Sequence, residues 1–261
     1  MRLLLKNNIE KIIYTVLALA TFILAWQYIT TFTLAKSTTP QPLEVFEMLF
    51  KSMANPIGQY TIWGHLLVSL KRVLIGFSIG TISGIVVGIG MGSSRYIKSI
   101  VKPIFEMLRP IPPIAWIPLA ILWFGIDETT KYFIIFISAF TNVTLNSFMA
   151  ASNVDPVLIG AARMLGTNEK DIFTRVILPS CTPQIFAGMQ VGLSTSWMGV
   201  LAAEMVRSSE GLGWIIIRGS DTANISQVLV GMIVIGVVGL LLSSIMRNIE
   251  RRLCSWNVMD I

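Results

Sequence analysis

Apolar runs long enough to cross a bilayer alternate along this chain with short polar segments. Residues 12–34 form the first run. Residues 35–62 are polar, carry Pro40, Pro42 and Pro56, and include a short amphipathic piece over Glu44–Lys51. Residues 63–92 make a second run that starts amphipathically through His65, Lys71 and Arg72. A third ends around Trp123-Phe124-Gly125, and further runs occupy residues 132–151, 183–206 and 225–246. Lipid offers backbone groups no hydrogen-bond partner, so apolar runs of this length predict helices and exclude a β-barrel. The pattern predicts an all-α, polytopic membrane protein with about six transmembrane helices. Thr33-Leu34-Ala35 loosely imitates a cleavage site, but the first run is longer than a signal-peptide core and is read as a retained span.

Three interruptions carry information. In the second run Gly76, Gly80, Gly84, Gly88 and Gly92 recur every fourth residue, along one helical face. Such a ladder lets another backbone approach closely, either as a fixed packing seam or as one that slides. The third run opens on Leu108-Arg109-Pro110-Ile111-Pro112-Pro113-Ile114-Ala115-Trp116-Ile117-Pro118-Leu119, too many prolines for a regular helix. It is either irregular backbone beside a pathway or a kinked start to the span. Polar side chains also sit inside apolar runs: Asn142 and Asn146 in the fourth, Ser194, Ser196 and Trp197 in the fifth, with Glu204 near its end. They face other helices or a wet cavity. Arg109, Pro112, Pro113, Asn142, Asn146, Ser194, Ser196, Trp197, Met198 and Glu204 are the candidate pathway residues, and Arg109 and Arg207 could favour an anion near either mouth.

The stretch from Asp155 to Pro179 is different in kind. It reads as two short helices with a hinge. Asp155 suits an N-cap and Pro156 the first helical position. Leu158, Ala161, Ala162 and Leu165 repeat at helical spacing, and Gly166 stands where a left-handed cap would stand. Thr167 can cap the next helix, which has Glu169 and Asp171 in its first turn, and Leu178-Pro179 stops the segment.

With 54% hydrophobic and 13% charged residues, the composition confirms a membrane protein; soluble domains carry roughly 25% charged residues. The formal net charge of +6 does not argue for nucleic acid, because membrane proteins concentrate Lys and Arg in cytoplasmic loops. Arg95, Lys98 and Lys102 mark one such loop, residues 152–180 contain another, and Arg247, Arg251 and Arg252 follow the last run. Both termini are therefore placed inside. Cys181 and Cys254 have no CxxC spacing, which disfavours a disulfide or a metal site. The chain has no Gly-Lys dipeptide, hence no phosphate-binding loop of its own. The lone His65 excludes an HExxH zinc site and reads as an interfacial side chain. No nucleophile, base and acid fall on one membrane face, so no catalytic residue is assigned and an enzyme is disfavoured.

Gly160-Ala161-Ala162, then Gly166, then Val176-Ile177-Leu178-Pro179 resembles the cytoplasmic loop of the permease subunits of bacterial ABC importers. The family pattern is Glu-Ala-Ala, three residues, Gly, nine residues, an aliphatic, any residue, Leu-Pro. The spacing matches, and the departure is Gly160 in place of Glu. Ser69-Leu70-Lys71-Arg72-Val73-Leu74 with its glycine ladder resembles the family's first core helix. The proline-rich run followed by Trp123-Phe124-Gly125-Ile126, and Ala202-Ala203-Glu204-Met205 followed by Gly211-Leu212-Gly213, resemble the subgroup importing nitrate, taurine and alkanesulfonates.

The resemblance implies a type I ABC importer permease fold with its core over 61–261, preceded by a stub, first helix and external segment over 1–60. It implies a homodimer of permeases in a prokaryotic inner membrane, two cytoplasmic ATPase subunits and an extracytoplasmic solute-binding protein. ATP and magnesium would bind the ATPase, leaving no cofactor in this chain. The docking loop would be residues 155–179, with Gly160, Ala161, Ala162, Arg163, Leu165, Gly166, Thr167, Leu178 and Pro179. The competing reading is a secondary carrier or channel working without ATP.

Overall fold

The structure, a computed structural model, describes residues 2–33, 39–206 and 208–254. Leu34, Ala35, Lys36 and Arg207, and the side chains of Arg2, Lys6 and Lys11, lie outside the described residues. Among the described residues, five helices are long and apolar enough to cross a membrane, or six if one sharply bent pair counts as a single span. By their contacts the residues form two compact units, 1–63 with 215–234, and 64–214 with 235–261.

In the first unit, α1 (Arg2–Phe32) supplies the first apolar span, Ile13–Phe32. The amphipathic piece expected over 44–51 is α2 (Pro42–Ala54), with Pro42 at its first turn and Val45 and Ser52 buried. The Trp26 indole N–H donates to the Pro40 carbonyl at 3.2 Å, tying the connection to α1.

The second unit is built around α6 (Glu128–Ser152), which has α3 (Ile62–Ser93) on one side and α9 (Leu178–Met205) on the other. The glycine ladder of α3 is the contact. A methyl group on Gly80 would lie 2.7 Å from the Phe136 carbonyl, one on Gly88 2.5 Å from the Thr144 carbonyl, and one on Gly92 2.4 Å from Ala151 Cβ. Across the seam α6 presents Ile135, Ala139, Val143, Ser147 and Ala151, again every fourth residue. On its α9 side, Gly188, Gly192 and Gly199 meet Asn146, Val143 and Ser138. With little hydrophobic force between helices in lipid, close backbone approach is what holds such a sandwich.

One sequence expectation is corrected between α3 and α6, and an open choice is decided. Arg95, Lys98 and Lys102 do not occupy a loop: Ser94 caps a new helix at once, α4 (Arg95–Leu108), its side chain accepting from the Ile97 N–H. Lys98 and Lys102 lie over the Phe148 ring. Of the two readings of the third run, irregular backbone is the one observed: α4 leads through Arg109–Pro112 to a 3₁₀ turn (Pro113–Trp116) and α5 (Ile117–Phe124), with an 88° bend that makes the pair a broken span or a re-entrant loop. The prolines remove the donors a continuous helix would need.

After α6 come α7 (Pro156–Met164) and α8 (Glu169–Ile172). Leu178-Pro179 does not stop α8. A π turn over Phe173–Ile177, in which the Leu178 N–H reaches five residues back to the Phe173 carbonyl, carries the chain into α9, so Glu169–Met205 is one helix. The wider turn absorbs a proline that would otherwise clash with the preceding turn. Last come α10 (Leu212–Asp221) and α11 (Ile225–Leu253). Gly211 turns the chain at φ 106°, and a helix begins at Leu212.

Candidate functional site

The first candidate site is the loop centred on α7. Its start matches the local signals: the Asp155 side chain accepts from the Val157 N–H at 2.8 Å and Pro156 opens the helix. Its end is a Schellman cap. Gly166 N–H donates to the Arg163 carbonyl, Thr167 N–H to the Ala162 carbonyl, and Gly166 holds φ 76°. Thr167 does not cap α8. Asn168 does, its side chain accepting from the Asp171 N–H, while the Thr167 backbone N–H closes the Schellman motif. Arg163 forks onto Glu169 at 2.9 and 3.1 Å, locking α7 to α8. That hydrogen-bonded carboxylate pushes the Arg163 guanidinium above its ordinary value. Beneath the loop, Ile89, Ala150, Cys181 and Ile185 form an apolar cluster on which Val154, Phe173, Ile177 and Leu178 pack.

The top of the loop is bare. No residue of α7 is buried. Val157 is 73% exposed, Met164 91% and Leu165 85%. A methyl group on Gly160 would meet nothing within 4 Å, so this glycine serves no packing inside the chain. The rigidly capped helix thus presents large apolar side chains outward.

The cap carries a direct test. Gly166→Ala puts a Cβ on a left-handed residue in open space, and is expected to cost about 1 kcal/mol, with Gly166→Asn costing less. Limited proteolysis of the purified protein should cut faster between α7 and α8 in the alanine variant. Unchanged cleavage would mean the left-handed cap does not hold the loop.

The pathway candidates separate into two groups. Asn142 donates to the Ser138 carbonyl and to Thr195 Oγ, and Asn146 donates to the Asn142 carbonyl while accepting from Gln184. Ser196 donates to the Ile135 carbonyl, and the Trp197 indole to the Ile235 carbonyl. These four side chains bind helix to helix. Ser194 and Met198 are exposed one turn apart on α9, beside a groove of about 360 Å³ that Gly236, Gly239 and Leu240 of α11 also line. Arg109 and Pro112 are exposed at the break between α4 and α5, with Pro113 half-buried beside them.

Glu204 belongs to a site that sequence reasoning missed. Arg72, one of the polar residues that open the second run, is 1% exposed and uses all its N–H groups. Its Nε and Nη2 fork onto Glu128 at 2.7 and 2.6 Å, Nη1 reaches Glu204 at 2.8 Å and the Glu210 carbonyl at 3.1 Å, and Nη2 reaches the Glu210 carboxylate at 3.0 Å. Glu204, with no exposed surface, also accepts from Ser69 Oγ and the Gly213 N–H. Lys131 joins Glu128 at 2.6 Å. A Cβ on Gly211 would sit 2.3 Å from the Glu204 carboxyl carbon, so the turn passes against the node only as glycine. His65 is correspondingly not interfacial: it is fully buried, accepts from the Gly211 N–H at Nδ1 and stacks on Trp214. The node pins α3, α6, α9 and the turn before α10 at one end of the helices. The available signal was an arginine and three glutamates at the ends of apolar spans, where charge needs a partner.

Comparison with known proteins agrees with this architecture. The family described as binding-protein-dependent transport system inner membrane component matches residues 80–254. The taurine transport system permease protein TauC of Escherichia coli (strain K12) is 35% identical over 242 residues, covering 92% of this chain and 88% of that protein. The putative aliphatic sulfonates transport permease protein SsuC of Bacillus subtilis (strain 168) is 34% identical, covering 91% and 85%. The nitrate import permease protein NrtB of Synechocystis sp. (strain ATCC 27184 / PCC 6803 / Kazusa) is 32% identical, covering 92% and 88%. Among solved structures, an amino acid ABC transporter chain superposes with a TM-score of 0.64 at 19% identity, covering 82% of this chain and 99% of that one. A chain of the MetNI methionine ABC transporter gives 0.62 at 20%, covering 71% and 92%. With that family model, those relatives and a shared all-helical membrane fold, the chain belongs to the binding-protein-dependent transport system inner membrane components, the permeases of ABC importers.

Proposed function

We propose that this permease moves a small anionic solute, a sulfonate, taurine, nitrate or similar, into the cytoplasm by alternating access, driven by a separate ATPase that docks on residues 155–179. The observation that carries the reading is the bare, capped α7 on a firmly anchored base. Gly160, Ala161, Ala162 and Gly166 permit close approach, and Arg163–Glu169 ties the docked helix to α8. Because α8 runs through the π turn into α9 without a stop, a push on α7 is delivered directly to a spanning helix. The working unit is a homodimer with two ATPase subunits, which bind ATP and magnesium, and an extracytoplasmic solute-binding protein. It sits in an inner membrane with both termini in the cytoplasm. The solute classes come from the names of the relatives.

Co-purification tests it. Met164→Asp with Leu165→Asp alters exposed side chains, so the permease should fold normally, within about 0.5 kcal/mol. Its bound ATPase should be lost and uptake should fall at least tenfold. Full-rate uptake by the permease without any ATPase would instead establish an ATP-independent carrier or channel.

A further inference from the structure

We propose that the break between α4 and α5 lines the water-filled solute path, and that Arg109 is the cation that favours small anions there. The proposal rests on the importer reading and locates its selectivity.

Arg109 falls between the 14 residues of α4 and the 3₁₀ turn and α5 that follow. Whether the pair is a broken span or a re-entrant loop, Arg109 stands at its break, where charge facing lipid is costly. The backbone around it is equally unsuited to lipid. Pro110 and Pro113 have no N–H, so the carbonyls of Glu106 and Arg109 lose the donors a continuing helix would supply. The Ile111 N–H is taken by the Leu108 carbonyl at 3.1 Å, and the Arg109 N–H by the Phe105 carbonyl at 2.9 Å. Broken backbone at membrane depth is tolerated only inside protein or beside water. Residues 106–112 are exposed on this chain.

The charge favours the second setting. Within this chain nothing neutralises the guanidinium: among the described residues Arg109 has no ion pair or side-chain hydrogen bond, and nearby Glu106 is paired with Lys102 at 3.4 Å. Beside water, the same cation raises the local concentration of anions. The following residues Pro110, Ile111, Pro112 and Pro113 are uncharged, and the nearby Glu106 is offset by Lys102, which leaves Arg109 as the uncompensated charge.

The test is thiol accessibility in the assembled importer. Ile111→Cys, in a background with Cys181→Ala and Cys254→Ala, is treated with an anionic and a cationic membrane-impermeant methanethiosulfonate. Rates are normalised to those of a free thiol in solution. Ile111→Cys should react, whereas Ile79→Cys, on the exposed apolar face of α3, should not. The anionic reagent should be favoured, and Arg109→Gln should lower the anion-to-cation ratio on the order of tenfold, as expected for one charge acting with opposite sign on two reagents at a few ångströms. Arg109→Lys should keep the preference. An unreactive Ile111→Cys in a complex that retains its ATPase would mean the break is covered, by a second copy or otherwise, and would overturn the proposal while leaving the importer reading intact. A ratio unmoved by Arg109→Gln would remove Arg109 from selection. If Arg109→Gln does not assemble, the reagent preference with Arg109 in place decides: a cationic preference refutes the proposal.

Discussion

Arg72→Met is expected to destabilise the permease by about 3 to 5 kcal/mol, the range for removing one partner of a buried ion pair. The reason lies in what the arginine leaves behind. Glu204 has no exposed surface and keeps only Ser69 Oγ and the Gly213 N–H as donors. Glu128, 39% exposed and still held by Lys131, can take up solvent; Glu204 cannot. In a chain of this size the melting temperature of the detergent-solubilised protein should fall by roughly 10 °C. Arg72→Lys should lie between, because an ammonium offers three donors where the node uses five. Lys71→Met, on the exposed neighbour, should be nearly silent. Arg72→Met with Glu204→Leu should recover part of the loss, since it removes the stranded charge as well as its partner. If Arg72→Met and Lys71→Met melted alike, the node would not be what holds these helix ends together.

The node also shows which features a sequence exposes. The caps of α7 were legible because their chemistry is local: Asp155-Pro156 and Gly166 act on N–H and carbonyl groups a few residues away. The glycine ladder was legible as a seam for the same reason, since its period lies within one helix. Its partner was not, although Ile135, Ala139, Val143, Ser147 and Ala151 of α6 repeat with the same interval. The partners of Arg72 were not legible, because they lie 56, 132 and 138 residues away and no local pattern announces a pairing at that distance. Pro179 was read as a stop because proline usually ends a helix. A π turn carries the chain through it, and Phe173 and Ile177 of that turn pack on the apolar cluster beneath, contacts that no local pattern announces. The break at Arg109–Pro112 was legible as irregular, since prolines forbid a helix whatever surrounds them.

Gly88→Ala is expected to be harmful where Gly90→Ala, two residues along the same helix, is expected to help. An added methyl at Gly88 would stand 2.5 Å from the Thr144 carbonyl oxygen and 2.6 Å from Ser147 Cβ. The first of these is backbone, so no rotamer change relieves it. α3 and α6 must separate, and the whole seam from Gly76 to Gly92 loosens with them. Overpacking of this kind costs about 1 to 3 kcal/mol, and Gly88→Leu should leave little folded protein. At Gly90 the nearest atoms, on Ile97, are 3.6 Å away, an ordinary contact. There the substitution only removes the helix penalty of glycine and should gain about 0.5 to 1 kcal/mol. Opposite signs from the same chemical change, read as melting temperatures in one detergent, separate close packing from helix propensity. They also bear on whether the seam slides. A fixed seam predicts that Gly84→Ala, whose methyl would have 3.0 Å to Val143 Cβ, lowers stability and uptake in step. A seam that slides during transport predicts uptake lost well beyond what the melting temperature explains, because the added methyl must then pass each ridge of α6 in turn.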